Sequence, residues 1–228
     1  MKNIITIQHT QSEHHVNGMI GSQTEWGLTE LGKQQAENIG KSLAEFIGGT
    51  QYVMYSSNQI RARQTAEIVG KHLKIEPILE ELLREQSLGE AIGKSVEWAH
   101  ENTIVWMKKV DDRPFSGAET HRETWHRVMP FVKHIAQCSE ENIIIVSHGV
   151  TLSFINAIWL GLEVEDLNRC GLSGLSGGVS FLSENADGRR PDKKTQRYVF
   201  YKWQKLTFKR NAAIFLCYSV QVCGAVAN

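Results

Sequence analysis

The chain holds 228 residues, its 25 basic and 25 acidic side chains balance to a formal charge of zero, and 41% of it is hydrophobic. That is enough apolar chain to bury one sizeable core, and without an extended basic block a nucleic-acid partner is not expected. Cys138, Cys170, Cys217 and Cys223 lack the spacing of a zinc site or a disulfide framework, so no metal is expected and a reducing cytoplasm is the natural location.

Met1-Lys2-Asn3 runs straight into an apolar segment, with no signal-peptide pattern. The β-branched run Ile4 to Ile7 predicts a buried strand over 3–9 that stops at His9. Polar, glycine-bearing residues 10–27 read as a loop. Thr29 is placed to cap a helix to about Ile47, with Leu31, Ala36, Ile39, Leu43, Phe46 and Ile47 on its inner face, and Gly48-Gly49 ends it. A second strand over 51–55 leads through Ser56-Ser57 into a helix to about His72, with Ala62, Ala66, Val69 and Leu73 inward. Residues 74–93 show no single period and hold Pro77, Gly89 and Gly93, which predicts an irregular working loop.

Residues 95–109 are expected to be helical, with Val96, Ala99 and Trp106 packing, until Asp111 to Pro114 breaks the pattern. Thr120 and Glu123 have the spacing of a capping box opening a helix to about Gln137, which Pro130 should kink. The run 142–147 is almost continuously apolar, as in a central parallel strand, and it too ends on a histidine, His148. A helix over 150–160, glycine-rich residues 171–178 and a strand over 178–182 follow. Strands alternating with helices predict an α/β fold, a three-layer α/β/α sandwich with a mostly parallel central sheet. Ligands of such sheets sit at the C-terminal strand ends, where His9 and His148 belong. The tail after Gly188 is basic and then apolar. One more strand, Tyr198 to Trp203, is expected there, whereas Ala212 to Ala227 is too short and interrupted for a membrane span.

Five stretches converge in order: Gln8-His9-Thr10 with Ser12, Arg61-Ala62 ahead of Gln64-Thr65-Ala66, Leu83-Arg84-Glu85, Gly117-Ala118-Glu119-Thr120 opening a helix, and Ser147-His148-Gly149. A strand-end histidine, a helix arginine or a loop glutamate is ordinary by itself. Together, with Leu28-Thr29-Glu30-Leu31-Gly32 after the first, they resemble the motifs of the histidine phosphatase superfamily, the phosphoglycerate-mutase-like fold, over roughly residues 3–183. The resemblance implies a domain over 1–188 with a small lid around 85–120, and a tail over 189–228. It implies that His9 is a nucleophile that becomes phosphohistidine, that Arg61 binds the phosphoryl oxygens, and that His148, if protonated, adds a second cationic donor. Glu85 would protonate the leaving alcohol and then activate water. Arg63 competes for the role of Arg61, and Glu80, Glu81 and Glu90 for that of Glu85.

Gln8, Thr10, Ser12, His15 and Gly149 are the expected substrate-binding residues, Gly149 through its helix-start N–H. No cofactor is implied. The expected partner is a small phosphorylated substrate, and a homodimer is compatible with the sequence. The chain departs from the motif where Gln8 replaces an arginine and Thr10 a glycine. The Thr10 hydroxyl could then donate to phosphate. His15 stands where asparagine is usual, and its protonation would restore charge and raise activity toward mildly acidic pH. Met19 replaces a basic residue common in mutases, which favours a phosphatase. A phospho-ligand-binding protein and a phosphoglycerate mutase remain the other readings. Trp26, Trp98, Trp106 and Trp125 are available to shape an apolar pocket or simply to pack.

Overall fold

The computed structural model describes residues 1–184 and Gln221–Val222. The strand expected at Tyr198 to Trp203 and the rest of the basic and apolar tail lie outside the described residues. Five strands, β1 (Asn3–Gln8), β2 (Val53–Ser57), β3 (Ile78–Glu80), β4 (Asn142–Ser147) and β6 (Val179–Ser183), form one sheet in the order β3-β2-β4-β1-β6. All neighbours are parallel except β6, which runs antiparallel along the β1 edge. The two-residue β5 (Cys170–Gly171) pairs separately with β7 (Gln221–Val222).

The alternation of side chains along each strand builds two cores, one per face of the sheet. Ile5, Ile7, Met54, Ile144 and Val146 meet Ile39 and Leu43 of helix α1 (Glu30–Ile47) and Ala66 and Val69 of α2 (Ile60–Leu73). Ile4, Tyr55, Ile143 and Ile145 meet Val128, Phe131 and Ile135 of α4 (His121–Gln137) and Leu152 and Ile155 of α5 (Gly149–Trp159). Because β4 is covered on both faces, all of Ile143 to Val146 is buried, as its unbroken apolar run predicts. This is the α/β sandwich expected from the sequence.

Several local expectations change. Leu31 and Phe46 are exposed, because the inner face of α1 is centred on Gly32, Ala36, Ile39, Gly40 and Leu43. Phe46 instead reaches Phe181 on the edge strand, with ring centroids 4.8 Å apart. Gly32 is needed for a close approach: a Cβ there would lie 1.9 Å from the carbonyl oxygen of Gln11. Strand β3 falls within the stretch read as irregular, and its Ile78 and Leu79 are exposed, which hides it from any burial pattern.

Helix α3 covers only Val96–Asn102 rather than 95–109, and Val96 and Trp106 are exposed. Its end is physical. The Thr103 hydroxyl caps the Ala99 carbonyl, the β-branched Thr103-Ile104-Val105 disfavours another turn, and Ile104 N–H turns to Pro114 O. Helix α4 begins as expected, with Glu123 N–H donating to Thr120 Oγ1 and Thr120 N–H to the Glu123 carboxylate. It continues through Pro130 on its exposed side, where water can satisfy the carbonyl that proline leaves free.

Candidate active site

Strand register assembles the site. Gln8 is paired with Ser147 across β1 and β4, so each strand delivers its histidine at the same level of the sheet. The His9 N–H donates to Ser147 O, and the two imidazoles meet edge to face with centroids 5.1 Å apart. On the other side of β4, the β2 end places Ser57 Oγ 2.9 Å from His148 Nε2. In the first turn of α2, Arg61 is buried together with Ala62 and Thr65.

The hydrogen bonds set the tautomer of His9. Its Nδ1 lies 2.9 Å from the Thr10 carbonyl, an acceptor only, so Nδ1 carries the proton and Nε2 carries the lone pair. Arg61 Nε donates to that lone pair at 3.2 Å. Its Nη1 and Nη2 donate to the carbonyls of Thr24 and Ser22. Burial brings Arg61 down to about 10, so it stays charged at neutral pH. Burial foremost, and then Arg61, holds both His9 and His148 well below the ordinary histidine value. His148 is therefore neutral here rather than a second cation, and its buried Nδ1 has no hydrogen-bond partner among the described residues.

Glu85 lies over the start of α5. Its carboxylate accepts from Val150 N–H at 3.3 Å, Thr151 N–H at 3.2 Å and the Thr151 hydroxyl. Those donors fix the carboxyl group over the helix start. Of the first three amides of α5, Gly149's is the one Glu85 does not engage.

A cavity of about 370 Å³ opens onto Gln8, His9, His15, Arg61, Glu85 and Gly149. His148 lies behind His9, fully buried. Thr10 and Ser12 are buried away from the cavity, and the Thr10 hydroxyl faces Thr65 Oγ1 instead of a ligand. Ser12 Oγ bonds His14 Nδ1, and Ser12 N–H donates to His15 Nδ1. Arg63 pairs with Glu67 at the surface, and Glu80, Glu81 and Glu90 do not line the cavity. None of the four tryptophans lines it either; Trp125 is core and Trp106 is exposed.

Other residues build the site without a motif to announce them. Gln59 donates to Ser22 O and accepts the Glu85 N–H at 2.6 Å, tying the loop after β1 to the loop that carries Glu85. Ser22, in the left-handed region at φ 39°, adds hydroxyl bonds to Gln86 O and Leu88 N–H. Arg127 makes a two-pronged pair with Glu119 while donating to the carbonyls of Leu82 and Arg84. It thereby fixes the loop that carries Glu85. Gln59 and Glu119 lie within the stretches around Arg61 and Thr120 that the sequence singles out, whereas Arg127 reads as any helix arginine until α4 docks.

Nitrogens of His9, His14 and His15 lie within 4.8 Å of one another, close enough to raise the question of a metal. The surroundings do not suit one. The Arg61 cation is on His9 Nε2, and His15 Nδ1 already accepts from the backbone. The same features suit an anion.

His15 is also pushed down by burial and Arg61, and His14 falls to about 3 by burial, His15 and Arg61. The expected rescue of charge by protonated His15 is thus opposed by its surroundings. These buried neutral histidines have a consequence for stability. In the unfolded chain His9 and His148 take up protons as pH falls through 6.5, whereas in the folded chain they do so only far lower. Stability must then fall as pH falls below 6.5. Between pH 7.5 and 5.5 the loss should be on the order of 1 kcal/mol for each of the two. Urea denaturation at the two pH values measures it, and equal stabilities would contradict it.

Fold and site together define an α/β protein with an anion-suited pocket of histidine and arginine at the strand ends. The chain belongs to the histidine phosphatase superfamily, whose branch 1 matches residues 4–193. It is 32% identical over 171 residues to a Hydrogenobacter thermophilus protein provisionally named phosphoserine phosphatase 2, covering 73% of this chain and 83% of that one. It is 27% identical over 206 residues to the 2,3-bisphosphoglycerate-dependent phosphoglycerate mutase of Bartonella bacilliformis, covering 85% and 97% of the two chains. Its fold resembles that of mycobacterial glucosyl-3-phosphoglycerate phosphatase in complex with VO3, with a TM-score of 0.70, 23% identity and 84% and 96% of the chains covered. The α-ribazole phosphatase of Shigella flexneri gives a TM-score of 0.71 at 21% identity over 82% and 93%. No helix among the described residues is long and apolar enough to cross a membrane.

Proposed function

We propose that the protein hydrolyses small phosphomonoesters through a phosphohistidine on His9, without a metal. The observation that carries this is the His9 tautomer: Nδ1 bonded to Thr10 O, with the Nε2 lone pair beside Arg61 on the cavity. A neutral imidazole is a competent nucleophile. Nε2 attacks phosphorus as the ester P–O bond breaks, and Glu85, as the acid, gives its proton to the leaving oxygen. Water then attacks the phosphohistidine while the Glu85 carboxylate takes its proton, releasing phosphate and restoring His9. Arg61 and the Gly149 N–H face the charge spread over the phosphoryl oxygens, with the His148 N–H behind them. The test is turnover of a chromogenic phosphomonoester together with trapping of an acid-labile phosphoenzyme. Hydrolysis without any phosphoenzyme would reject the mechanism.

One observation favours a second reading, a phospho-ligand binder with little turnover. Gln8, 9% exposed, brings no charge to the phosphoryl site, and its Oε1 has no hydrogen-bond partner among the described residues. A charge-assisted bond lost here is worth about 1.5–3 kcal/mol. The variant Gln8→Arg should therefore raise kcat/KM roughly ten- to a hundred-fold. It should also tighten competitive inhibition by inorganic phosphate. A variant no faster than wild type would mean that Gln8 does not limit the site.

A further inference from the structure

With the phosphoryl group placed at His9, as the proposed function requires, the remainder of the cavity determines which leaving group fits. The outer wall is built by Val150, Ser153 and Phe154, one stripe of α5 at helical spacing, with Leu167, Leu172 and His121 facing them. The His121 ring stands edge to face against Phe154 at 5.2 Å. Among the described residues lining the cavity, Arg61 and Glu85 alone carry formal charge. Arg61 is committed at the phosphoryl end, bonded to His9 and to the carbonyls of Ser22 and Thr24. Burial holds His121 below the ordinary histidine value, and His15 likewise, so neither supplies a cation at neutral pH. A carboxylate or second phosphate on the leaving group would meet no free cation among the described residues lining the cavity, and would lie near the Glu85 carboxylate.

We infer that the outer cavity selects an uncharged, ring-sized leaving group, so that the substrates are monoesters of neutral aromatic or alicyclic alcohols rather than phosphorylated acids or bisphosphates. The volume of about 370 Å³ is at the small end of ligand pockets and takes a phosphoryl group with one ring.

Binding of non-hydrolysable phosphonates to the full chain tests this independently of turnover. Calorimetry at pH 7.5 should show benzylphosphonate binding at least about tenfold tighter than 4-carboxybenzylphosphonate, since an unpaired charge is costly to desolvate. Leu172 is only partly buried, so Leu172→Arg should fold, and it should narrow or invert the preference. Equal affinities in the wild type, tighter binding of the carboxylate, or no binding of either compound would overturn the inference. Hydrolysis of benzyl phosphate is read separately. If it fails while the binding preference stands, the phosphatase reading falls and the neutral-ring selectivity survives.

Discussion

His9→Ala is expected to lower kcat for a phosphomonoester by on the order of 10⁴–10⁶-fold, since loss of a covalent nucleophile removes a whole reaction route. No acid-labile phosphoenzyme should then form. Both effects follow from the position of Nε2, the buried lone pair that Arg61 touches at the cavity. Structure should survive the change. The His9 side chain makes two bonds, to the neighbouring Thr10 carbonyl and from Arg61 Nε; Arg61 keeps its bonds to Ser22 O and Thr24 O without it, and the backbone N–H of residue 9 to Ser147 O is kept. The variant should therefore unfold near the wild-type midpoint and still bind inorganic phosphate through Arg61. A folded variant with more than about a tenth of wild-type kcat would remove His9 from the nucleophile's role. A variant that binds phosphate but cannot be phosphorylated is the expected result.

The sequence made this site legible where chemistry and regular structure coincide. Ile4 to Ile7 and Ile143 to Val146 announce buried parallel strands, and a strand that ends on a histidine brings it to the ligand end of the sheet. Thr120 with Glu123 announces a helix start because a capping box is a local matter, settled within four residues. What stayed hidden is what depends on packing between distant segments. Arg127 acquires its role only when α4 lies against the Leu82 to Glu85 loop. Ser22 becomes the junction of two loops and α2 through contacts distant in sequence, 37 residues away to Gln59 and 64 to Gln86. The charge states of His15 and His148 were equally illegible. A sequence says that a histidine can be protonated, whereas burial beside Arg61 decides that these are not. Helix α3 stops at Asn102, short of its apolar pattern, because the residues that follow keep an apolar content that their β-branched shape cannot turn into another helical turn.

Arg61→Lys separates charge from geometry, and a large loss is expected even though the positive charge is kept. Arg61 is 1% exposed and spans three acceptors from one planar group: His9 Nε2, Ser22 O and Thr24 O. A lysine ammonium is a single point with a shorter effective reach, and it cannot hold the loop carbonyls while facing a phosphoryl group. Burial also costs a compact ammonium more than a delocalised guanidinium, and this pocket already brings Arg61 down to about 10. Arginines that stabilise phosphoryl transfer are worth about 10³–10⁵ in rate, so kcat/KM should fall by at least about 10²-fold for lysine and further for glutamine. The loss should fall on kcat more than KM if the planar grip tightens as charge spreads over the equatorial oxygens. A second readout tests the structural half. Amide exchange at Ser22 to Thr24 should speed up in the lysine variant, because that loop loses two hydrogen bonds from α2. Near wild-type kcat/KM in Arg61→Lys would show that charge alone suffices, and the fork that reaches both the nucleophile and the loop would then have no part in catalysis.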